Sequence, residues 1–281
     1  MSLVRSINRL IMLFIDTFRQ VGRGRIWLVL GLFFLLNWLV LFAHYKAMSP
    51  VFYSPIKLWA EFFGAREATG FFHYPGHFLI LPILFDWAKL VVGLVLEGAV
   101  LGLVALMFFD SYLEVEKPES SPLKLVLSSW GQLILGWVLL NGLMLAATLI
   151  LPQYLVDWLW GSPRRMMVFE FGIMPGIFTL MLAMLYFVIP SIAVYGDNVL
   201  EGLKRSLGIF IRNPITCLIL AFAVILGQTL ISVAAGRPVT IIEKFRPELV
   251  YWVLLSGLAV NALASFLWMG TAVRFLIDEE E

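Results

Sequence analysis

The sequence predicts an all-α fold: a polytopic membrane helix bundle of six transmembrane helices and two cytoplasmic-side interfacial amphipathic helices. Of the 281 residues, 61% are hydrophobic and only 14% charged, whereas a soluble domain carries about 25% charged residues. Most of the chain falls into six long apolar stretches. Because backbone N–H and C=O groups cannot stay unpaired in hydrocarbon, each stretch must be helical.

The six stretches reach or exceed the roughly 17–25 apolar residues that a helix needs to cross a bilayer. They are residues 26–43, 78–109, 123–151, 171–195, 215–235 and 249–277. The longest segment between them, 44–77, has only 34 residues, which excludes a catalytic ectodomain. The chain 1–281 is therefore predicted to be a single integral membrane domain.

Two further segments have the spacing of amphipathic helices. In 3–21, apolar residues such as Leu10, Phe14 and Phe18 share one face, and basic residues lie mostly elsewhere. This pattern predicts an interfacial helix on the inner leaflet, with packing against a partner subunit as the alternative. Residues 197–212 have a similar pattern, with Asp197 as the expected N-cap.

The second apolar stretch is too long for one straight crossing. Either a tilted, Pro-kinked helix runs throughout, or 78–89 is partly interfacial and 90–109 crosses. The preceding segment, 44–77, is rich in aromatic residues, which favour the headgroup level. We expect it to lie along the outer face as a lid or docking surface, with a short helix near 56–63.

Charge bias predicts the orientation. Five arginines precede the first span, which places the N-terminus in the cytoplasm by the positive-inside rule. Six spans then return the C-terminus to the same side. The acidic end, 278–281, is expected to be solvated.

Three charged residues lie inside the second stretch: Asp86, Lys89 and Glu97. At 100° per residue they share one polar stripe facing the bundle interior. Glu97 lies near the centre of the crossing, where a charge costs about 2.5–3.5 kcal/mol unless it is protonated, paired or hydrated. The functional interpretation is a proton or cation path, or a polar cavity for a substrate headgroup. The structural interpretation is a carboxyl bonded to another helix, with Asp86 and Lys89 paired.

Four amides lie at intermediate depths in other spans: Asn37, Asn141, Gln228 and Asn261. Interhelical hydrogen bonds of such side chains contribute about 0.6–2 kcal/mol, and helix–helix polar contact is their expected role. The pairs Gly98-x-x-x-Gly102 and Gly172-x-x-x-Gly176 favour close helix packing in the same way.

Signals for cofactor or nucleic-acid chemistry are weak. His44, His73 and His77 lie on the predicted outer side and could ligate a metal, but no fixed spacing supports a site, so we predict no metal and no cofactor. Nucleotide-binding and hydrolase motifs are missing from the sequence. A net charge of +1 without a strongly basic patch does not indicate a nucleic-acid partner.

A resemblance is carried by Pro190, by the run Val199–Leu207 and by Arg212-Asn213-Pro214. Over about residues 175–235 the chain resembles uncharacterised prokaryotic six-helix membrane families, such as the membrane domain attached to some glycerophosphodiester phosphodiesterases. The resemblance implies a multi-pass protein of the prokaryotic cytoplasmic (inner) membrane, and it implies no catalytic residues.

Three functions follow as hypotheses. The first is a non-enzymatic integral subunit or scaffold of a larger membrane assembly, whose partners are membrane lipids and other membrane subunits. The second is a transporter or lipid-handling permease that uses the polar stripe. The third is an intramembrane enzyme acting on lipid. Because the carboxylate and the imidazoles lie at different predicted depths, no enzymatic activity is expected.

Overall fold

The structure, a computed structural model, describes residues 3–62, 73–114, 121–159 and 161–280. In these ranges every regular element is a helix. Six helical segments are long and apolar enough to cross a membrane: Gly24–Tyr45, His77–Tyr112, Trp130–Tyr154, Pro163–Tyr195, Pro214–Ala235 and Leu249–Glu279. The predicted all-α, multi-pass helix bundle is confirmed.

The helices of the described ranges are numbered in chain order. They are α1 Leu3–Arg19, α2 Gly24–Tyr45, α3 Pro50–Phe62, α4 His77–Val92, α5 Gly98–Tyr112, α6 Pro122–Ser128, α7 Trp130–Tyr154, α8 Val156–Leu159, α9 Pro163–Val168, α10 Met174–Leu185, α11 Val188–Tyr195, α12 Val199–Arg212, α13 Pro214–Ala235, α14 Pro238–Lys244 and α15 Leu249–Glu280. Two π-helical turns, Gly93–Glu97 and Phe169–Ile173, join α4 to α5 and α9 to α10.

Several boundaries differ from the sequence prediction. The stretch predicted to begin at 123 is interrupted at Ser129, so the long helix α7 begins at Trp130. The fourth span begins at Pro163 rather than 171. The second stretch is one continuous helical segment, His77–Tyr112, with the π turn inside it. Side chains of residues 3–7 and the segment 63–72, which belong to the predicted interfacial helix and outer segment, lie outside the described residues.

The N-cap of α12 is Asn198, so the prediction of Asp197 was wrong. Asn198 Oδ1 accepts from the Glu201 N–H at 3.0 Å, and Glu201 Oε2 accepts from the Asn198 N–H at 3.1 Å. This reciprocal capping box satisfies two backbone donors that would otherwise lack partners. Asp197 instead accepts from Arg205 Nε at 2.9 Å.

The chain separates into two compact units. Unit 1 contains Met1–Leu30, Leu94–Gly227 and Leu263–Glu281, and unit 2 contains Gly31–Gly93 and Gln228–Ala262. The divisions fall within α2, the first π turn, α13 and α15.

The core of unit 1 is organised around a break in the fourth span, between α10 and α11. Pro190 has no N–H, so the carbonyl of Tyr186, four residues earlier, loses its usual helical donor. Trp268 Nε1 of α15 donates to that carbonyl at 2.9 Å. Ser206 Oγ of α12 donates to Met184 O at 2.7 Å and accepts from Phe187 N at 3.2 Å. Two neighbouring helices therefore supply the missing hydrogen bonds.

One of the two predicted glycine pairs packs closely. A Cβ on Gly98 would lie 2.5 Å from the Leu133 carbonyl oxygen, and one on Gly102 would lie 2.9 Å from a Leu133 methyl group, so α5 and α7 approach closely there. Gly172 and Gly176 have no such neighbour within 4 Å among the described residues.

The amphipathic helix α1 packs on helices of its own unit. Leu10 and Leu13 are buried, whereas Ile11, Ile15 and Phe18 of the same helix are exposed. These exposed side chains suit the predicted interfacial position, since an apolar face without protein contacts can enter the headgroup region.

An ionic cluster ties α1 and α12 to the C-terminal end of α15. Glu279 accepts from Arg9 at 2.9 Å and lies 3.3 Å from Arg212, and Asp16 accepts from Arg274 at 3.1 Å. The Glu279 side chain is only 18% exposed. The prediction of a solvated acidic end is therefore wrong for Glu279, because basic residues of two other helices surround it.

Unit 2 has two apolar clusters. Phe78 and Phe85 of α4 pack with Val250 and Leu254 of α15. In the second cluster, Ile56 and Ala60 of α3 pack with Ala47 and Leu84. A helix predicted near 56–63 is thus present as α3, which begins earlier, at Pro50.

We predict an energetic coupling between Trp268 and Pro190. Trp268→Phe removes the donor to the Tyr186 carbonyl and should lower the free energy of unfolding by about 1–3 kcal/mol. In a Pro190→Ala background the loss should be smaller, because an alanine at this position offers a backbone N–H to the same carbonyl. A double-mutant cycle measured by unfolding in detergent micelles checks this. Trp252→Phe, at an exposed indole, is the control. Strictly additive effects would contradict the coupling.

We also predict that Gly98 cannot be enlarged without cost. Gly98→Ala directs a methyl group at the Leu133 carbonyl, and the helix displacement should cost about 1–3 kcal/mol of unfolding free energy. Gly142→Ala, which has no described neighbour within 4 Å, should be neutral or stabilising by up to about 1 kcal/mol, since alanine favours helix. Equal stability changes for both variants, measured in the same micelles, would refute the close contact.

Candidate functional site

Unit 2 contains a cavity of about 460 Å³ between α4, α13, α14 and α15. Its polar lining comes from three helices, and its remaining lining is mostly apolar, with Ile83, Leu254 and Leu258 as examples. The polar side chains are Asp86 and Lys89 on α4, Gln228 and Ser232 on α13, and Asn261 on α15.

Asp86, Lys89 and Asn261 lie well inside helices that are long enough to cross a membrane, whereas Ser232 lies in the last turn of α13. At a rise of 1.5 Å per residue, Lys89 lies about 18 Å along the axis from His77, and Asn261 about 18 Å from Leu249. The two helix starts are close, because Phe78 packs with Val250. The cavity therefore extends from the end of α13, at Ala235 and Gly236, to Lys89 and Asn261 within α4 and α15.

Asp86 and Lys89 share one face of α4, one turn apart. No hydrogen bond or ion pair joins them, nor do they pair with another side chain of the described ranges. Asp86 and Lys89 therefore interact through their charges without forming a hydrogen bond or a close ion pair. Asp86 is exposed and Lys89 partly exposed, so both charged groups are accessible from the cavity.

The amides on the other side of the cavity do pair across helices. Gln228 Nε2 of α13 donates to Asn261 Oδ1 of α15 at 3.0 Å. This bond leaves Gln228 Oε1 as an acceptor and Asn261 Nδ2 as a donor. Close approach of the two helices is helped by Gly257, where a Cβ would lie 2.7 Å from an Ile231 methyl group.

Glu97, the third member of the predicted stripe, does not line this cavity. It belongs to unit 1, where Trp137 Nε1 of α7 donates to Glu97 Oε2 at 3.1 Å. The stripe assumed 100° per residue, and the π turn Gly93–Glu97 breaks that spacing. At the same turn, Trp130 Nε1 donates to the Val95 carbonyl at 2.9 Å.

The other two predicted amides bond within their own helices. Asn37 Nδ2 donates to Phe33 O at 2.9 Å, and Asn141 Nδ2 donates to Trp137 O at 3.1 Å. Neither bond joins two helices, because the side chain reaches the carbonyl of the preceding turn instead.

The histidines do not assemble a metal centre in the described ranges, where no group of three or more His, Cys, Asp or Glu side chains could hold a metal ion. His44 Nδ1 lies 2.8 Å from Val40 O in its own helix. The backbone N–H of His77 donates a hydrogen bond to the His73 carbonyl at 3.0 Å.

A hydrogen bond links the segment before α4 to the segment before α15. Tyr74 Oη donates to Glu248 Oε1 at 3.3 Å. Desolvation, together with the negative charge of Glu248, raises the pKa of the Tyr74 phenol. A tyrosine phenol is already protonated at neutral pH, and the raised pKa keeps Tyr74 a donor at more alkaline pH as well.

The sequence prediction missed the residues that act as partners. Ser232 was not singled out, because a serine near the end of an apolar span carries no distinctive pattern. Trp130 and Trp137 were not assigned as donors, although a mid-span glutamate must have a partner. That requirement is readable from sequence, but the identity of the partner is not.

The chain matches no protein-family model, no curated protein and no solved structure. The resemblance of about residues 175–235 to prokaryotic six-helix membrane families stays a prediction, and the cavity must be interpreted from its own chemistry.

We predict that Glu97 matters as the acceptor for Trp137. Glu97→Leu should leave the indole N–H without a partner and cost about 1–3 kcal/mol of unfolding free energy. Glu97→Gln retains a carbonyl oxygen at the same distance from the helix and should cost much less. The two variants are compared by unfolding in micelles, with Trp137→Phe as the reciprocal control. Equal losses for Gln and Leu would contradict an acceptor role.

Proposed function

We propose that this protein is a lipid-handling membrane permease whose polar cavity in unit 2 receives the headgroup of a membrane amphiphile. One observation carries the proposal: five polar side chains from three spanning helices line a single cavity of about 460 Å³ whose other walls are mostly apolar. Such a mixture suits a molecule with a polar end and an apolar end. Ligand cavities typically measure about 300–1,000 Å³.

Asp86 and Lys89 place charged groups within a helical segment that is long enough to cross a membrane. A charge facing lipid costs about 2.5–3.5 kcal/mol at the centre of a span on the lenient insertion scale, and long basic side chains near helix ends avoid part of this cost by reaching the interface. Asp86 and Lys89 attract each other but form no hydrogen bond or close ion pair, so protonation of Asp86, or water or a ligand in the cavity, must lower the remaining cost. A cavity supplies the space for either.

The same groups would lower the cost of moving a headgroup through the bilayer. A headgroup that leaves water loses its hydrogen bonds, and each unsatisfied polar group in hydrocarbon costs several kcal/mol. The carboxylate, the ammonium and the amide pair Gln228–Asn261 offer replacements inside the spanning region. The protein would then provide a polar route for the headgroup while the acyl chains stay in lipid.

We predict that neutralising either charge reduces lipid translocation. In vesicles reconstituted with the purified protein, Asp86→Asn and Lys89→Gln should each lower the initial rate by about tenfold or more, equivalent to about 1.4 kcal/mol. The readout is the fraction of fluorescent lipid that a membrane-impermeant quencher reaches with time.

Matched controls come from α3. Lys57 and Glu61 form a partly exposed pair at 4.0 Å and do not line the cavity. Lys57→Gln and Glu61→Gln make the same chemical changes and should stay within about twofold of wild type, close to 0.4 kcal/mol. Wild-type protein that moves no labelled lipid, or cavity variants that match the controls, would remove the support for a permease.

A role as an integral subunit of a larger assembly is the second candidate. The exposed side chains of Val51 and Leu58 on α3, which are 76% and 65% exposed, favour it. Proteins that leave the membrane with the chain in mild detergent, and that are lost in a Leu58→Lys variant, would support this role. A clean monomer in every mild detergent would count against it.

A further inference from the structure

The cavity presents one basic side chain, Lys89, and one acidic side chain, Asp86. Lys89 is a donor with three N–H groups and no acceptor, and an ionised Asp86 is an acceptor only. They are three residues apart on α4, where Cβ atoms are separated by about 5–6 Å. The two groups attract each other but form no hydrogen bond or close ion pair, so each can also bind a different part of one ligand.

This arrangement discriminates between classes of headgroup by charge. A purely anionic headgroup near Lys89 would be repelled by Asp86, and a purely cationic one near Asp86 would be repelled by Lys89. A headgroup that carries both charges, separated by a short link, satisfies both side chains. The two charges of the cavity sum to zero, which also matches a zwitterion.

The cationic end of the ligand can be specified further. A quaternary ammonium has no N–H and is usually held against several aromatic faces. Among the described residues of the lining, Phe85 is the one aromatic side chain, and it is only 3% exposed. A primary ammonium instead donates hydrogen bonds, for which the Asp86 carboxylate and Gln228 Oε1 are acceptors. The lining therefore favours a primary over a quaternary ammonium.

The anionic end is matched by donors. Lys89 provides charge-assisted hydrogen bonds, which are stronger than neutral ones. Asn261 Nδ2 and the Ser232 hydroxyl provide further donors in the same cavity. Phosphate oxygens accept several such bonds at once. The apolar walls formed by Ile83, Leu254 and Leu258 then suit the start of an acyl chain.

We infer that the ligand is a zwitterionic amphiphile with a primary ammonium and a phosphate, namely a phospholipid of the phosphoethanolamine class. This inference rests on the proposed function, and it adds the class of headgroup. Asp86 binds the ammonium, and Lys89 binds the phosphate. Gln228 Oε1 adds an acceptor for the ammonium, and Asn261 Nδ2 and the Ser232 hydroxyl orient the phosphate and the adjoining esters.

Lipid retention by the full-length protein tests the inference. The protein is purified in mild detergent, mixed with equal amounts of phosphoethanolamine, phosphocholine and phosphoglycerol lipids of identical acyl chains, and examined by native mass spectrometry. Wild type should retain the phosphoethanolamine lipid about tenfold over the other two. Lys57→Gln and Glu61→Gln should keep that preference.

The variants separate the two charges. Asp86→Asn should lose discrimination against the phosphoglycerol lipid, because the repulsive carboxylate is gone. Lys89→Gln should retain less of every phospholipid. The double exchange Asp86→Lys with Lys89→Asp should recover part of the phosphoethanolamine preference, which a merely misfolded protein would not.

The unfavourable outcomes are distinguishable. Equal retention of phosphocholine and phosphoethanolamine lipids, or preference for phosphoglycerol, would overturn the inference while the permease proposal stands. No retention of any lipid, together with no translocation, would remove the proposed function itself. If water-soluble phosphoethanolamine displaced the lipid at equal concentration, the ligand would be a solute, and the assignment of a lipid would be wrong.

Discussion

The structure depends above all on the requirement that backbone polar groups in spanning helices find partners. Pro190 removes one helical donor, and the Tyr186 carbonyl is bonded instead by Trp268 Nε1 at 2.9 Å. Ser206 Oγ bonds the Met184 carbonyl and the Phe187 N–H in the same turn. An unsatisfied group in hydrocarbon costs several kcal/mol. The side chains of α12 and α15 that bond to the interrupted backbone therefore also hold these helices against the fourth span. The break in the fourth span thus organises the packing of unit 1.

The same requirement explains the different environments of the three intramembrane charges. Glu97 follows a π turn and accepts from Trp137 of α7. Asp86 and Lys89 have no such side-chain partner in the described ranges and line a cavity instead. A charge that is bonded to a neighbouring helix contributes to packing, whereas a charge that faces a cavity is available to a ligand. Asp86 and Lys89 are therefore the candidates for ligand binding, whereas Glu97 accepts a hydrogen bond from Trp137.

The cavity combines charged, polar and apolar lining residues. Fixed charges alone would attract water, and apolar walls alone would attract acyl chains. The amide bond between Gln228 and Asn261 holds two helices together at this point and still leaves a donor and an acceptor. A ligand with a polar and an apolar end can satisfy all of these surfaces together, and this is the physical basis for proposing an amphiphile.

Residue patterns by themselves determined the number of spans, the all-α class and the positions of the polar residues within the spans. They did so because hydrocarbon demands long apolar helices. They did not determine which polar residues meet. Gln228 and Asn261 are 33 positions apart, and Trp268 and Tyr186 are 82 apart.

In a membrane both lipid and protein interiors are apolar, so the sequence pattern of a span does not reveal which side faces a neighbouring helix. Glu97 was predicted to share a stripe with Asp86 and Lys89 but does not line their cavity. The reason is local, since the π turn Gly93–Glu97 cannot be recognised from the helical period that it interrupts. Tertiary structure decided the partner of Glu97 and gathered Asp86, Lys89, Gln228 and Asn261 at one cavity, because only packed helices bring distant positions within hydrogen-bond reach.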